Sequence, residues 1–512
     1  MARREKSLDK YGILSYPLRD MKSFFQRTVY GPNYKWWGLG IVSIAVFAST
    51  ADSGLVGISL PVIMNYFQAD MSFAGWVVLI HSLVTACLFV PLGRLSDLIG
   101  HKKIMSAGFL LYATSSAVAS LAQNPTQLIT FRILQATGNA LMMSNSFAIT
   151  TALFPGNERG KAMGISGGLV SAVGLSLGPS MGGLLIHAFG WRSVFYVPAI
   201  IGGVGFIAAQ FLIQEHRMTI RVKKTKEPFD FLGMGIFVLA LSSLFVGLTT
   251  GQKGLWNSPL VIAELTIAVM SVSLFIWWES FTRYPMLDLK LFSIRTFTGG
   301  NWSRLSVFIA NSVNNLIMPF YLQLGLGLSP LAAGLLMTPN AMASAVVSPI
   351  SGWLSDKIGA RIISSLGLAV TSAALFMLSS LSAGATSAEV VRGILLFGVG
   401  HGLFQTPNNS SVMGSVPPER LGVASAFLSL VRSLGQSFGI AIATTIIISS
   451  LIAVTGQTSL QGLREAGQAG QNPALLSAFL RGYRFSYIAA GLICAFAIVA
   501  SLSRGPRESK KE

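Results

Sequence analysis

Charge is scarce in this chain. Only 11% of its 512 residues are Asp, Glu, Lys or Arg, against about 25% in soluble globular proteins. So thin a supply cannot cover a water-facing surface, and a membrane is the first environment to consider. Cysteine is scarcer still: Cys87 and Cys494 are the only two, and both fall in apolar runs. A disulfide framework and a cysteine-based zinc site are both unsupported. The sequence also lacks a phosphate-binding glycine loop, a zinc-ligand spacing and a nucleophilic serine elbow. An ATP-driven pump and a hydrolase are therefore disfavoured, and neither enzymatic activity nor a cofactor is expected. Acids are few, 19 against 37 basic residues, for a net charge of +18. The basic residues come in short pieces between apolar runs. This is the pattern of cytoplasmic loops, and no nucleic-acid partner is expected.

What is abundant is apolar sequence, 52% of the chain. A helix needs about 20 apolar residues to cross the hydrocarbon, and a lipid-exposed backbone must satisfy its own hydrogen bonds. The runs are too long and continuous for barrel strands. They predict an all-α polytopic protein with fourteen spans, from 37–66 to 482–503. An even number leaves both ends on one side. Segment 1–36 carries eight Lys and Arg, the stretch QEHRMTIRVKKTKEP five and the final RGPRESKKE four. Loops on the other side, such as QADMS and LGLGLS, are nearly bare. Both termini are thus expected in the cytoplasm and the protein in the cell membrane. The basic tail lacks the apolar core of a signal peptide and is expected to rest on anionic lipid. One long outer loop is expected at roughly 454–481.

The chain repeats itself. GRLSDLIGHKK at 93–103 returns as GWLSDKIGAR at 352–361. Pro91 and Pro349 precede the two loops, and in the same register Arg132 falls near Arg392 and Gly138 near Gly398. FPGNERG resembles VPPERLG, and Gly174 and Gly178 match Gly435 and Gly439. Two parallel six-helix halves, 37–213 and 298–503, follow from this. Between them, 214–297 holds linker segments and two extra helices (about 231–280), and 504–512 forms a cytoplasmic tail. Parallel halves point to alternating access, with the site at their interface. A duplicated scaffold that transports nothing, such as a membrane sensor, is the alternative from another class.

Several motifs together resemble the major facilitator superfamily, in particular its fourteen-helix drug:proton antiporter branch. GRLSDLIGHKK matches the loop between the second and third helices, and FRILQATGNA is similar to the R-x-x-Q-G element of the fourth. GLSLGPSMGG resembles the antiporter signature of the fifth helix, and ADSGLVGISLP the L-D-x-T-I-V-N-V-A-L-P of the first. The chain departs from that pattern at Gly54 and Gly57, where the family has Thr and Asn, and at Ala136. The resemblance implies proton-coupled efflux of hydrophobic or amphipathic small molecules, with protons as the coupling ion. Export of one specific metabolite, lipid or siderophore is the alternative within the class. Small-molecule substrate, protons and lipid are the expected partners, and the chain is expected to function as a monomer.

The motifs have physical readings of their own. Gly93 and Gly100 permit a tight turn and close helix approach, and Lys102 with Lys103 pins that end inside. Asp97 can cap a helix start or pair with Arg94. The resemblance makes it the acid of a latch between the halves, where the alternative is a loop that only sets orientation. Asp52 lies about 22 Å along its helix from Trp37 at 1.5 Å per residue. A carboxyl so deep in lipid should face a cavity, carry a proton or pair with an arginine. Arg132 and Gln135 share a face one turn apart. The resemblance links this Arg to proton movement, with Asp52 its candidate partner, and helix-bundle glue is the alternative. Gly174, Gly178 and Gly182 line one face, and Pro179 interrupts the hydrogen bonding there. These are expected to form a bendable seam at the interface between the halves, or ordinary small-residue packing. Asn311, Asn315 and His401 are candidate polar groups of the cavity, or interhelical glue.

Overall fold

The computed structural model describes residues 31, 33–69, 71–213, 215, 227–455 and 473–503. Most of the basic tail 1–36, most of the segment 214–226, the outer loop at 456–472 and the tail 504–512 lie outside the described residues.

Fourteen long helices make up the described structure. The first six are α1 (Tyr34–Phe67), α2 (Met71–Ile99), α3 (His101–Ala119), α4 (Pro125–Leu153), α5 (Arg159–Phe189) and α6 (Ser193–Leu212). The inserted pair is α7 (Phe231–Thr250) and α8 (Pro259–Phe281). The last six are α9 (Arg295–Gly325), α10 (Pro330–Ile358), α11 (Ala360–Ser379), α12 (Ser387–Gly414), α13 (Leu421–Thr455) and α14 (Pro473–Leu502). Twelve are long and apolar enough to cross a membrane. The two that fall short are α3 and α4, and the reason is visible in their residues. The first turn of α3 is His101-Lys102-Lys103. Helix α4 buries Arg132, Gln135, Asn139 and Asn145 against protein rather than lipid.

Local chemistry sets the ends. Asn124 accepts from the Gln127 amide at 2.9 Å and Pro125 opens α4. Thr386 and Glu389 form a reciprocal capping box on α12, so two otherwise orphaned amides are satisfied. Gly100 and Gly359 end α2 and α10 at φ of 110° and 100°, a region that side chains disfavour.

Glycines dictate the neighbours. In the first half α5 lies on α1, with Gly178 against Ala51 and Gly182 against Leu55 and Ile58. In the second half α13 lies on α9 in the same way, with Gly435 against Leu305 and Phe308 and Gly439 against Ile309 and Ser312. The seam expected between the halves at Gly174, Gly178 and Gly182 is therefore internal to the first half. The contacts that join the halves involve other glycines. Gly93 meets Gly422 and Ala426, and Gly160, Gly164 and Gly168 meet Gly352, Pro349 and Ser348. The stretch Gly164–Val170 is π-helical, and such wide turns inside helices are frequent at functional sites. Helix α7 of the inserted pair packs on α2, where the Cys87 thiol lies 3.7 Å from the Ser242 hydroxyl.

Gly54 occupies a place where the resembled motif has a threonine, and the packing explains it. A Cβ there would stand 2.5 Å from Pro179 Cδ and 2.8 Å from Pro179 N, whereas one at Gly57 would meet nothing within 4 Å. Gly54→Ala should destabilise the protein by about 1–3 kcal/mol through overpacking. Gly57→Ala should be neutral or gain up to about 1 kcal/mol of helix propensity. Thermal unfolding of both variants in detergent checks this, and equal midpoints would contradict it.

Candidate functional site

Asp52, Arg132 and Gln135 come together in the first half. Asp52 stands midway along α1, and Arg132 and Gln135 lie one turn apart on α4. Arg132 Nη1 donates to Asp52 Oδ2 at 2.9 Å and to Gln135 Oε1 at 2.6 Å. Gln135 Nε2 donates to Asp52 Oδ1 at 3.0 Å and to the Ser116 hydroxyl at 2.9 Å. Arg132 Nε reaches the Val77 carbonyl at 3.4 Å. Asp52 is 1% exposed, Arg132 2% and Gln135 0%. The carboxylate is thus sealed and doubly hydrogen-bonded in this conformation. Removing one member of such a pair leaves a bare buried charge, at about 3–5 kcal/mol.

Around this core lie groups that sequence spacing did not connect to it. Ser116 and Tyr112 are one turn apart on α3, and the Tyr112 hydroxyl donates to the Ala48 carbonyl at 3.2 Å, beside Asp52. His81, on α2, contacts Asn139 at 3.3 Å and lies within electrostatic reach of both Arg132 and Asp52. The repeat does not duplicate the cluster. Arg392, matched to Arg132 in sequence, is exposed and bonds back to the Ala388 carbonyl.

The repeated loops are duplicated in structure as well. Asp97, at the end of α2, accepts from the amides of Gly422 and Val423 at 2.7 and 3.1 Å. Those amides open α13, in the other half. Asp356, at the end of α10, accepts from Gly160 and Lys161 at 3.1 and 3.2 Å. Those amides open α5, back in the first half. Each acid therefore caps a helix start across the interface, where the unpaired amides and the helix dipole both favour an anion. Arg94, the neighbour expected to pair with Asp97, bonds instead to Glu227 at 2.6 Å, in the segment leading to the inserted pair. His101 holds Asn145 at 2.9 Å and stands 3.7 Å from Asp97. Lys102 caps the far end of α6 through the Gln210 carbonyl at 2.7 Å.

Gly100 has a further reason to lack a side chain. The Glu215 carboxylate fills the space a Cβ would take, and it accepts from the amides of His101 and Lys102 that open α3. Partial burial pushes the Glu215 carboxyl pKa upward, opposed by those amides and by the charges of Lys103 and Lys102.

The remaining candidates lie in the second half. Asn311 is half-buried and Asn315 exposed, one turn apart on α9. His401, on α12, contacts Ser344 at 3.3 Å and packs edge-on against Phe308. Sequence reasoning missed two arginines here. Arg304 is 1% exposed; it donates to the Leu428 carbonyl at 2.8 Å and to Asn409. Arg432 lies near it on α13. Their rarity inside predicted spans was the available signal.

A helical membrane bundle of two repeated halves, clamped at one end and carrying a buried ion pair, defines a polytopic transporter fold. Comparison with known proteins identifies the family. The profile of the Major Facilitator Superfamily matches residues 42–440 and 302–512, and the chain belongs to that superfamily. It is 32% identical to the riboflavin transporter RibZ of Clostridioides difficile (strain 630) over 418 residues, 81% of this chain and 89% of that one. It is also 32% identical to the multidrug resistance protein Stp of Mycobacterium tuberculosis (strain CDC 1551 / Oshkosh) over 417 residues, 81% of this chain and 75% of that one. Among solved structures, the human organic anion transporter MFSD10 (TETRAN) superposes with a TM-score of 0.65 at 16% identity, covering 92% of this chain and 100% of that one. That likeness concerns the fold.

Asp97→Ala should remove about 0.5–2 kcal/mol of capping from the start of α13. Hydrogen exchange at the Gly422 and Val423 amides should accelerate, while Gly160 and Lys161 keep their protection. Asp356→Ala should show the converse. Unchanged exchange in both would mean that the acids do not hold the interface.

Proposed function

We propose that the protein is a fourteen-span, proton-coupled exporter of hydrophobic or amphipathic small molecules. It sits in the cell membrane with both termini in the cytoplasm and functions as a monomer. The observation that carries this reading is the sealed Asp52–Arg132–Gln135 cluster in a half that is clamped to its partner at one end. With the clamped end in the cytoplasm, the structure corresponds to a carrier closed on that side. Asp52 is paired here, so protonation belongs to a conformation in which Arg132 has swung away. In that conformation a proton on the carboxyl prevents the pair from re-forming, and the unpaired Arg132 then favours the arrangement in which the two stand apart.

The driving force is adequate. A potential of 100 mV contributes about 2.3 kcal/mol per charge, and one pH unit about 1.4 kcal/mol. A second reading, export of a single metabolite, is favoured by the relative named a riboflavin transporter, which is as similar as the multidrug protein.

Liposomes holding the purified protein should accumulate an amphipathic dye when a pH gradient is imposed, and a protonophore should abolish the uptake. Asp52→Asn should reduce gradient-driven accumulation to the level of protein-free liposomes while leaving dye-for-dye exchange intact. Full gradient-driven uptake by that variant would remove Asp52 from the coupling. No flux of any compound from a broad panel would favour the non-transporting sensor.

A further inference from the structure

Two arginines stand in the membrane interior of the second half, and among the described residues no carboxylate pairs with them. One face of α9 carries Arg304, Phe308, Asn311 and Asn315, spaced four, three and four residues apart. Exposure rises along this face, from 1% at Arg304 and 4% at Phe308 to half-buried Asn311 and exposed Asn315. The opposite face of α9 bears Trp302, 58% exposed, as a lipid-facing side would. Helix α13 repeats the pattern: Ser425 and Ser429 are buried, Arg432 is half-buried and Gln436 is exposed. Both rows open away from the clamped end.

They also face the other half. Arg304 lies over the rings of Phe308 and Phe147, 4.9 and 5.6 Å from their centroids, and Phe147 belongs to α4 of the first half. The Phe147 amide donates to Ser425 at 3.2 Å.

The charges do not cancel. Arg304 takes only neutral acceptors, Leu428 and Asn409. Arg432 has no hydrogen-bond or ion-pair partner among the described residues, and its charge acts on Arg304. Among the described residues, the acids of this half lie at the helix ends: Asp356 and Glu419 at the clamp, Glu389 capping α12. Nearby polar atoms are also unmet, namely His401 Nε2 and both side-chain atoms of buried Asn408. Unpaired cations in hydrocarbon are costly. In the first half Arg132 is neutralised by Asp52, so the second half has room for a negative charge from outside the chain.

We propose that the interface between the halves takes an amphipathic anion, with its carboxylate, sulfonate or phosphate between Arg304 and Arg432 and its apolar body against Phe147 and Phe308. This rests on the transporter reading and names its substrate class. Arginine suits the role because its planar fork meets two-oxygen anions bidentately. Anion exit in exchange for proton entry moves two charges in the same electrical direction, so a membrane potential alone should drive export.

Binding at equilibrium tests the assignment without any gradient, using an aromatic sulfonate dye and the purified full-length protein in detergent. Arg432 has no bonding partner among the described residues, so Arg432→Gln should fold normally. It should bind the dye about tenfold or more weakly, the loss expected for a charge-assisted contact, with Arg432→Lys in between. A cationic dye of similar size should bind no better to the parent than to Arg432→Gln. Displacement of the sulfonate by phosphatidylglycerol would assign the site to lipid headgroups, and displacement only by soluble aromatic carboxylates to soluble cargo. Equal sulfonate affinity in parent and Arg432→Gln, or preferential binding of the cation by the parent, would overturn the proposal. Because no proton moves in this assay, a failure of Asp52 coupling would leave its outcome unaffected.

Discussion

Hydrocarbon offers an ion nothing to bond to, and the placement of charge in this bundle follows from that constraint. Asp52 survives inside because Arg132 and Gln135 supply the bonds that water would have made. Asp97 and Asp356 survive at the interface because each finds two backbone amides at a helix start. An acid satisfied by the other half's backbone turns an electrostatic necessity into a mechanical joint. The same bond that stabilises the carboxylate holds the halves together, and it is lost when they separate.

Much of the architecture was legible in the sequence. Apolar runs gave the helices, and four-residue glycine spacing gave one close-packed face. The juxtaposition of Arg132 and Gln135 followed from helical geometry, and Asp52 stood out because acids are rare in lipid. What periodicity could not supply was the identity of the opposing surface. Gly174, Gly178 and Gly182 define a face, but only tertiary packing places it on α1 rather than on the other half. Asp97 could be read as a cap, yet the helix it caps begins 325 residues away. Arg304 and Arg432 escaped because they match no motif. Hydropathy alone also undervalues α4, whose Arg132, Gln135, Asn139 and Asn145 are buried within the bundle.

The two halves share a frame and differ inside it. Gly178 packs on Ala51 and Gly439 on Ile309, which aligns Asp52 with Ala310. The first half thus carries an acid balanced by an arginine, and among the described residues the second keeps Arg304 and Arg432 without one. Duplication preserved the elements that let helices approach and interlock, while the interior chemistry diverged. A frame set by glycine contacts and backbone caps tolerates such divergence, because neither the Asp52–Arg132 pair nor Arg304 supplies those contacts.

The crossed caps also bear on biogenesis. The first half leaves the ribosome with Asp97 unmet and the start of α5 open. Asp356 follows Gly160 by 196 residues, and Gly422 follows Asp97 by 325. At about 5–20 residues per second, the early helices wait in the bilayer for tens of seconds before their partners are synthesised. During that interval water or lipid headgroups must satisfy the acid, so this end of the nascent bundle belongs at the wet edge of the membrane until translation closes the joint.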